Sequence, residues 1–279
     1  MKATLFCSAS LNDGRSTGQE TKSTMRCVFA FALIAGLLTT SAVQAQGFGN
    51  LTAKFVVKGK APTPAKLDIN KDQAFCGKHK LVDETVVVGK DGGLANVVVY
   101  LTPAIGQKVP ANPNLKLPAE VTLDNLNCRF EPHIVVVTTD QKLVLKNSDS
   151  VGHNSKVDLF NNPAFNDLIP AGGAIKKSIE KAERVPAGVS CNIHPWMRAF
   201  LVVRDNPYTG VSDADGNLKI EGIPAGEWEF TVWHETGYVK GEQKGKDLGW
   251  KRGKVKVKIE AGKDADLGTI DVPAESLKK

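Results

Sequence analysis

Methionine is scarce in this chain: Met1, Met25 and Met197 are all there are in 279 residues. Cysteine occurs five times and histidine five times. Long apolar runs are missing after the first forty or so residues, so no later segment has the length needed to cross a bilayer as a helix. Charge of one sign is missing too. The formal net charge is +6, and it falls to +4 without Lys2, Arg15, Lys22, Arg26, Asp13 and Glu20. That mild balance gives no argument for nucleic-acid binding. No Ser/His/Asp set, paired catalytic carboxylates or phosphate-cradling glycine loop emerges, and Asp213-Ala-Asp215-Gly216-Asn217 lacks the downstream Glu of a calcium loop.

What the N-terminus does have is an address. Met25-Arg26 precedes an apolar stretch from Cys27 to Leu38, followed by small and polar residues to Ala45. This is the pattern of a secretory signal peptide with cleavage between Ala45 and Gln46. Residues 1–24 sit oddly before such a signal, which places the true start at Met25. The expectation is a periplasmic or secreted protein beginning at Gln46.

Export gives the remaining cysteines meaning. Cys76, Cys128 and Cys191 stay in the mature chain, an odd number in an oxidising compartment. One pair plus one cysteine with another task is the simplest account. Cys191 is the odd one out, because it begins Cys191-Asn-Ile-His194-Pro195-Trp196-Met197. Cys76 and Cys128 then form a disulfide. A zinc or second copper site made of Cys76, His79, Cys128 and His133 is the competing arrangement.

Thiolate, imidazole and thioether within seven residues form a soft donor set, suited to copper and poorly suited to magnesium or calcium. Thirty-eight residues before Cys191, His153 closes the run Asn147-Ser-Asp-Ser-Val-Gly-His153-Asn154. Two His, one Cys and a weak axial Met are the ligand inventory of an electron-transfer copper site. Four protein ligands on one metal leave no open position for a substrate, so no enzyme is expected.

The rest of the chain reads as strand. Leu51–Lys58, Thr85–Val88, Leu94–Leu101, Ile134–Thr139 and Lys142–Lys146 are short β-branched runs between Gly, Pro and Asn turns. Lys176–Arg184 reads as a weak helix or a polar strand. Lys254-Val-Lys-Val-Lys-Ile259 alternates strictly, lysines out and aliphatics in, and the lysine-rich face can orient an acidic partner. An all-β antiparallel sandwich follows from this punctuation. A change of character near Asp205 divides the mature chain into a first domain, 46–205, with an N-terminal strand extension, and a smaller β-sandwich, 206–279.

The spacing Asn147-x5-His153-Asn154 with Cys191-x2-His194-Pro195-x-Met197 resembles the cupredoxins, with ligand loops like those of plastocyanin and above all amicyanin. The chain as a whole resembles the cupredoxin-type methylamine utilisation proteins that carry a carboxypeptidase-regulatory-like, prealbumin-like tail. The resemblance is specific from about Val135 to Val203. It implies a Greek-key sandwich with one type 1 copper on His153, Cys191, His194 and Met197. It also implies Asn154 tying the two ligand loops together, and exchange of single electrons with periplasmic redox proteins such as a c-type cytochrome or a dehydrogenase. His194 is then the exposed exit, with Pro195 and Trp196 forming an apolar docking patch around it. Val189 stands where the family carries an aromatic two residues before the cysteine, and Trp196 is a further departure. The alternative function is a non-redox interaction protein that keeps this shell and uses copper for stability or storage.

Overall fold

The computed structural model describes residues 47–278. The leader, Cys7, Cys27 and the expected cleavage point lie outside the described residues. In chain order, β1 (Phe48–Lys58) is followed by the short helix α1 (Gln73–Cys76) and β2 (Val98–Leu101). Next come β3 (Glu120–Leu126), β4 (Arg129–Glu131), β5 (Ile134–Thr138), β6 (Lys142–Asn147), β7 (His153–Val157), β8 (Phe165–Ile169), β9 (Ala174–Ser178), β10 (Ala187–Ser190) and β11 (Arg198–Arg204). The chain ends with β12 (Thr209–Val211), β13 (Asn217–Pro224), β14 (Gly226–His234), β15 (Gly237–Tyr238), β16 (Glu242–Gln243), β17 (Lys246–Asp247), β18 (Lys254–Ile259) and β19 (Asp264–Pro273). The all-β class read from the sequence is the class observed.

The middle strands form one sandwich. Its sheets run β5-β11-β10-β7-β8 and β4-β3-β6-β9. Between them lies a core in which Leu123, Phe130, Leu143 and Leu145 of one sheet meet Val135, Val137, Val189, Leu201 and Val203 of the other. Inward residues alternate along β5 and β11 as a two-layer packing demands. Lys176–Ser178 belongs to β9, so the ambiguous polar stretch starts as a strand. Thr85–Val88 makes only an isolated bridge between Val88 and Leu94.

The division expected at Asp205 is corrected by the strand pairing. β1 pairs antiparallel with β13 and parallel with β19, while β2 pairs with β12 and β14. The first strands therefore complete the tail sandwich instead of extending the middle one, and β3–β11 are inserted between β2 and β12. The reason is burial. Leu51 and Phe55 of β1 pack with Ile220, Phe230 and Ile270 of the tail in one apolar cluster, which the tail's own strands could not close. The Asp213–Asn217 turn carries the chain between two different sheets, since β12 pairs with β2 and β13 with β1.

All four residues of β2 are buried because both its faces are covered. Val99 and Leu101 enter the tail core, whereas Val98 and Tyr100 face Ile134, Val202 and Trp233 in a third cluster between the sandwiches. Arg204 fastens this junction. It lies 4.5 Å over the Tyr100 ring and donates to the carbonyls of Glu183 at 2.9 Å and Leu101 at 3.2 Å. The alternation expected in β18 is present, with Lys254, Lys256 and Lys258 exposed and Val257 and Ile259 buried.

Candidate metal centre

Two loops at one end of the middle sandwich carry the donors. The first joins β6 to β7, and Asn147 shapes it by donating to the carbonyls of Val151 at 2.8 Å and Ile169 at 2.9 Å. The second joins β10 to β11, whose ends are in register at Ser190 and Arg198. Within it the Met197 amide donates to the His194 carbonyl at 2.9 Å, and the Cys191 amide to the Met197 carbonyl at 3.4 Å. Because β7 and β10 are hydrogen-bonded neighbours, the two loops meet.

His153, Cys191 and His194 come together there, with donor atoms within 4.8 Å of one another. His194 Nδ1 lies 3.7 Å from Cys191 Sγ, and the two imidazole centroids are 4.5 Å apart. Both histidines are completely buried, and Cys191 and Met197 almost so. Met197 belongs to the same apolar cluster as Cys191. Among the described residues Cys191 is the free cysteine, while Cys76 and Cys128 form a disulfide with Cα atoms 5.5 Å apart. That bond occupies both sulfurs and removes the Cys76/His79/Cys128/His133 metal arrangement. His133 instead donates to Glu235 at 2.6 Å.

Each imidazole has a carboxylate behind it. His153 Nε2 donates to Asp149 at 2.8 Å, and His194 Nε2 donates to Asp72 at 2.8 Å. A carboxylate on one ring nitrogen fixes the tautomer and turns the other, as a lone pair, toward the metal position. His153 Nδ1 is buried and has no hydrogen-bond partner, a cost that a bound cation would remove. Burial pushes the His153 pKa down, more than the Asp149 hydrogen bond raises it, so the neutral imidazole that a metal requires is favoured. This donor set fits copper: a thiol, two neutral imidazoles and a thioether in a water-excluding cage.

Asn154 joins the loops. Its Oδ1 accepts the amides of Asn192 at 2.8 Å and Ile193 at 3.2 Å, and its own amide points at Cys191 Sγ at 3.5 Å. Amide hydrogen bonds to a thiolate stabilise its charge and limit its motion.

The open rim expected around His194 is not there. His194 is covered by the segment bearing Asp72, and Trp196 packs 5.1 Å from its ring while donating Nε1 to the Cys128 carbonyl at 3.0 Å. Pro195 alone of the three is exposed. The sequence reading missed Asp149 and Asp72. Asp149 had a signal, the one acidic residue in the run Asn147–His153, four positions before His153. Asp72 had none, being 122 residues from His194.

No known family profile matches the chain, and no curated protein matches it. Solved structures do. A copper-containing nitrite reductase from Thermus scotoductus is 21% identical, the match covering 37% of this chain and 26% of that one, with a TM-score of 0.29. A purple cupredoxin from Nitrosopumilus maritimus is 21% identical over 31% of this chain and 99% of its own, with a TM-score of 0.26. A single-residue variant of amicyanin in its oxidised state is 18% identical over 31% and 83%, with a TM-score of 0.28.

Proposed function

We propose that this chain is an exported type 1 copper protein that carries single electrons between periplasmic redox partners, a c-type cytochrome or a dehydrogenase among them. One observation carries the reading: His153 Nδ1, buried and unpartnered, lies in one buried cluster with the free thiol of Cys191 and with His194. His153, Cys191, His194 and Met197 would hold the ion. Copper supplies a one-electron couple there.

The protein's part is to keep that couple from rearranging. Asp149 and Asp72 hold the two rings in orientation, and Asn154 holds the thiolate loop against the His153 loop. Donors fixed in a buried site would need little rearrangement between two oxidation states, which favours fast exchange. The carrier role, the periplasmic or secreted location and the signal peptide belong to the same proposal.

Copper reconstitution of the metal-free protein tests it. The oxidised protein should show an intense visible thiolate-to-copper band, lost in Cys191→Ser. A colourless protein with copper bound in the His153 pocket would overturn the reading. One observation favours copper held for stability or storage instead: His194 is fully buried and gives no ligand edge to solvent. Slow exchange with every redox partner, in a protein of normal colour, would select that second reading.

A further inference from the structure

The cover over His194 is built at three points. Asp72 stands in the left-handed region at φ 45° and takes the His194 Nε2 hydrogen on its carboxylate. Its own carbonyl accepts the amides of Phe75 at 2.9 Å and Cys76 at 2.8 Å, which start the turn of α1. Cys76 is bonded to Cys128, and the carbonyl of Cys128 holds Trp196. A covalent bond, an imidazole–carboxylate contact and an indole thus fix this segment over the ligand loop. The Asp72 side chain remains 43% exposed. It touches a ligand ring on one side and water on the other.

The cover carries lysines beside the Asp72–His194 contact. Lys71, Lys78 and Lys80 flank or follow α1, all three are exposed, and none is ion-paired among the described residues. On the other lysine-rich face, β18, Lys254 pairs with Glu229 at 2.6 Å and Lys258 approaches Glu260 at 3.5 Å, while Lys256 is exposed without an ion pair among the described residues and far in sequence from any candidate donor. Asp72, the acidic neighbour of Lys71, is turned to His194. Unpaired lysines on a small rigid surface attract an anionic one, and they steer encounter more than they add affinity.

We infer that Lys71–Lys80, and not the Pro195–Trp196 edge, is the docking face of this protein, and that its partner is a redox protein with carboxylates around its own redox group. The inference rests on the copper-carrier reading and adds the partner's charge and its place of contact. A partner seated over Asp72 is separated from the His194 ring by one side chain and one 2.8 Å hydrogen bond. A contact at Pro195 meets the ligand loop from its backbone. The area needed is small, as is usual for redox encounters.

The test has two arms. In the first, hexacyanochromate(III), a redox-inert paramagnetic trianion, is added at low salt to metal-free, isotope-labelled protein, and amide line broadening is mapped. Broadening should centre on residues 71–80, and should vanish in the K71E/K78E/K80E variant and at salt where the screening length falls to about 3 Å. Broadening centred on Pro195–Arg198, on the β18 lysines or spread evenly would overturn the proposal. In the second arm, copper-loaded protein is mixed with reduced flavodoxin, a strongly acidic flavoprotein, and with cytochrome c, a strongly basic one. The triple variant should slow exchange with flavodoxin at least about tenfold at low salt and speed exchange with cytochrome c. Equal rates in parent and variant would overturn it. Failure to form the coloured site would instead end the copper reading, while the anion map would still report on the face itself.

Discussion

Asp149 holds His153 and the disulfide arm with a single buried carboxylate. One oxygen lies 2.8 Å from His153 Nε2 and also accepts the Cys128 amide at 2.8 Å, and the other accepts the Asn127 amide at 2.6 Å. Asn127 and Cys128 both lie at positive φ, a conformation that non-glycine residues take only when held. The imidazole and the turn that carries Cys128 are therefore positioned by the same group.

Asp149→Ala should act on both. Leaving two backbone amides without an acceptor in a buried place costs about 2–5 kcal/mol, read as a lower urea midpoint of the metal-free protein. Copper affinity should fall about 10–100-fold, as for loss of a group that orients a ligand. A variant with unchanged affinity in a copper competition assay would show that His153 needs no support.

Asn154→Ala removes the acceptor for Asn192 and Ile193. The Cys191 loop should then sample several positions, broadening the charge-transfer band and weakening copper binding about tenfold or more. Metal-free stability should drop by only about 1–2 kcal/mol. A sharp, unshifted band would count against the loop-tying role.

Met197→Leu keeps the buried volume nearly constant, so stability should change by less than about 1.5 kcal/mol. The colour should survive and the reduction potential should move, because a thioether would tune the couple without supplying its main bonds. Loss of colour in a folded Met197→Leu protein would mean that Met197 is doing more than this.

A chain ending at Asn206 keeps β1 and β2 but deletes β12, β13, β14 and β19, their partners. Leu51, Phe55, Val99 and Leu101 would be left open to water, and exposed apolar area of that kind drives association. The truncated chain should aggregate, whereas a chain from residue 119 to 205 with Cys128→Ser should retain the metal pocket. Light scattering and copper titration read the two outcomes. A soluble, monomeric 47–206 fragment would show that the first strands need no tail.

Glu84 supplies a pH dependence. Burial raises its carboxyl pKa above the ordinary 4.5, against the lowering effects of His133 and Arg129, with Glu131 and Glu235 adding to the rise. Folded protein then binds this proton more tightly than the unfolded chain does. Its contribution to stability is full at low pH and is lost as pH rises through the raised value. Glu84→Gln should therefore gain stability relative to the parent as pH rises from below 4.5 through the raised value. A difference that shrinks with rising pH, measured by urea unfolding, would reverse that assignment.

The sequence by itself determined the chemistry of the donors and the class of the fold. Cys191, His194 and Met197 are legible as candidate donors because they lie in one short loop. The odd cysteine count identified Cys191 as free and paired Cys76 with Cys128. Alternating β-branched runs announced strands because side-chain direction in a strand has a period of two. Only the tertiary structure decided which strands pair. Strand pairing is non-local, and the alternation of β1 is equally compatible with the middle sandwich and the tail. The unbroken apolar run Val97–Leu101 was the one sequence signal that β2 is covered on both faces. The cover on His194 was illegible for the same reason. A hydrogen bond between Asp72 and His194, 122 residues apart, exists only once the Cys76–Cys128 bond and the packing of Trp196 have set α1 over the ligand loop. Local spacing can name the candidate donors, but burial summed over the whole chain decides which of them meets the solvent.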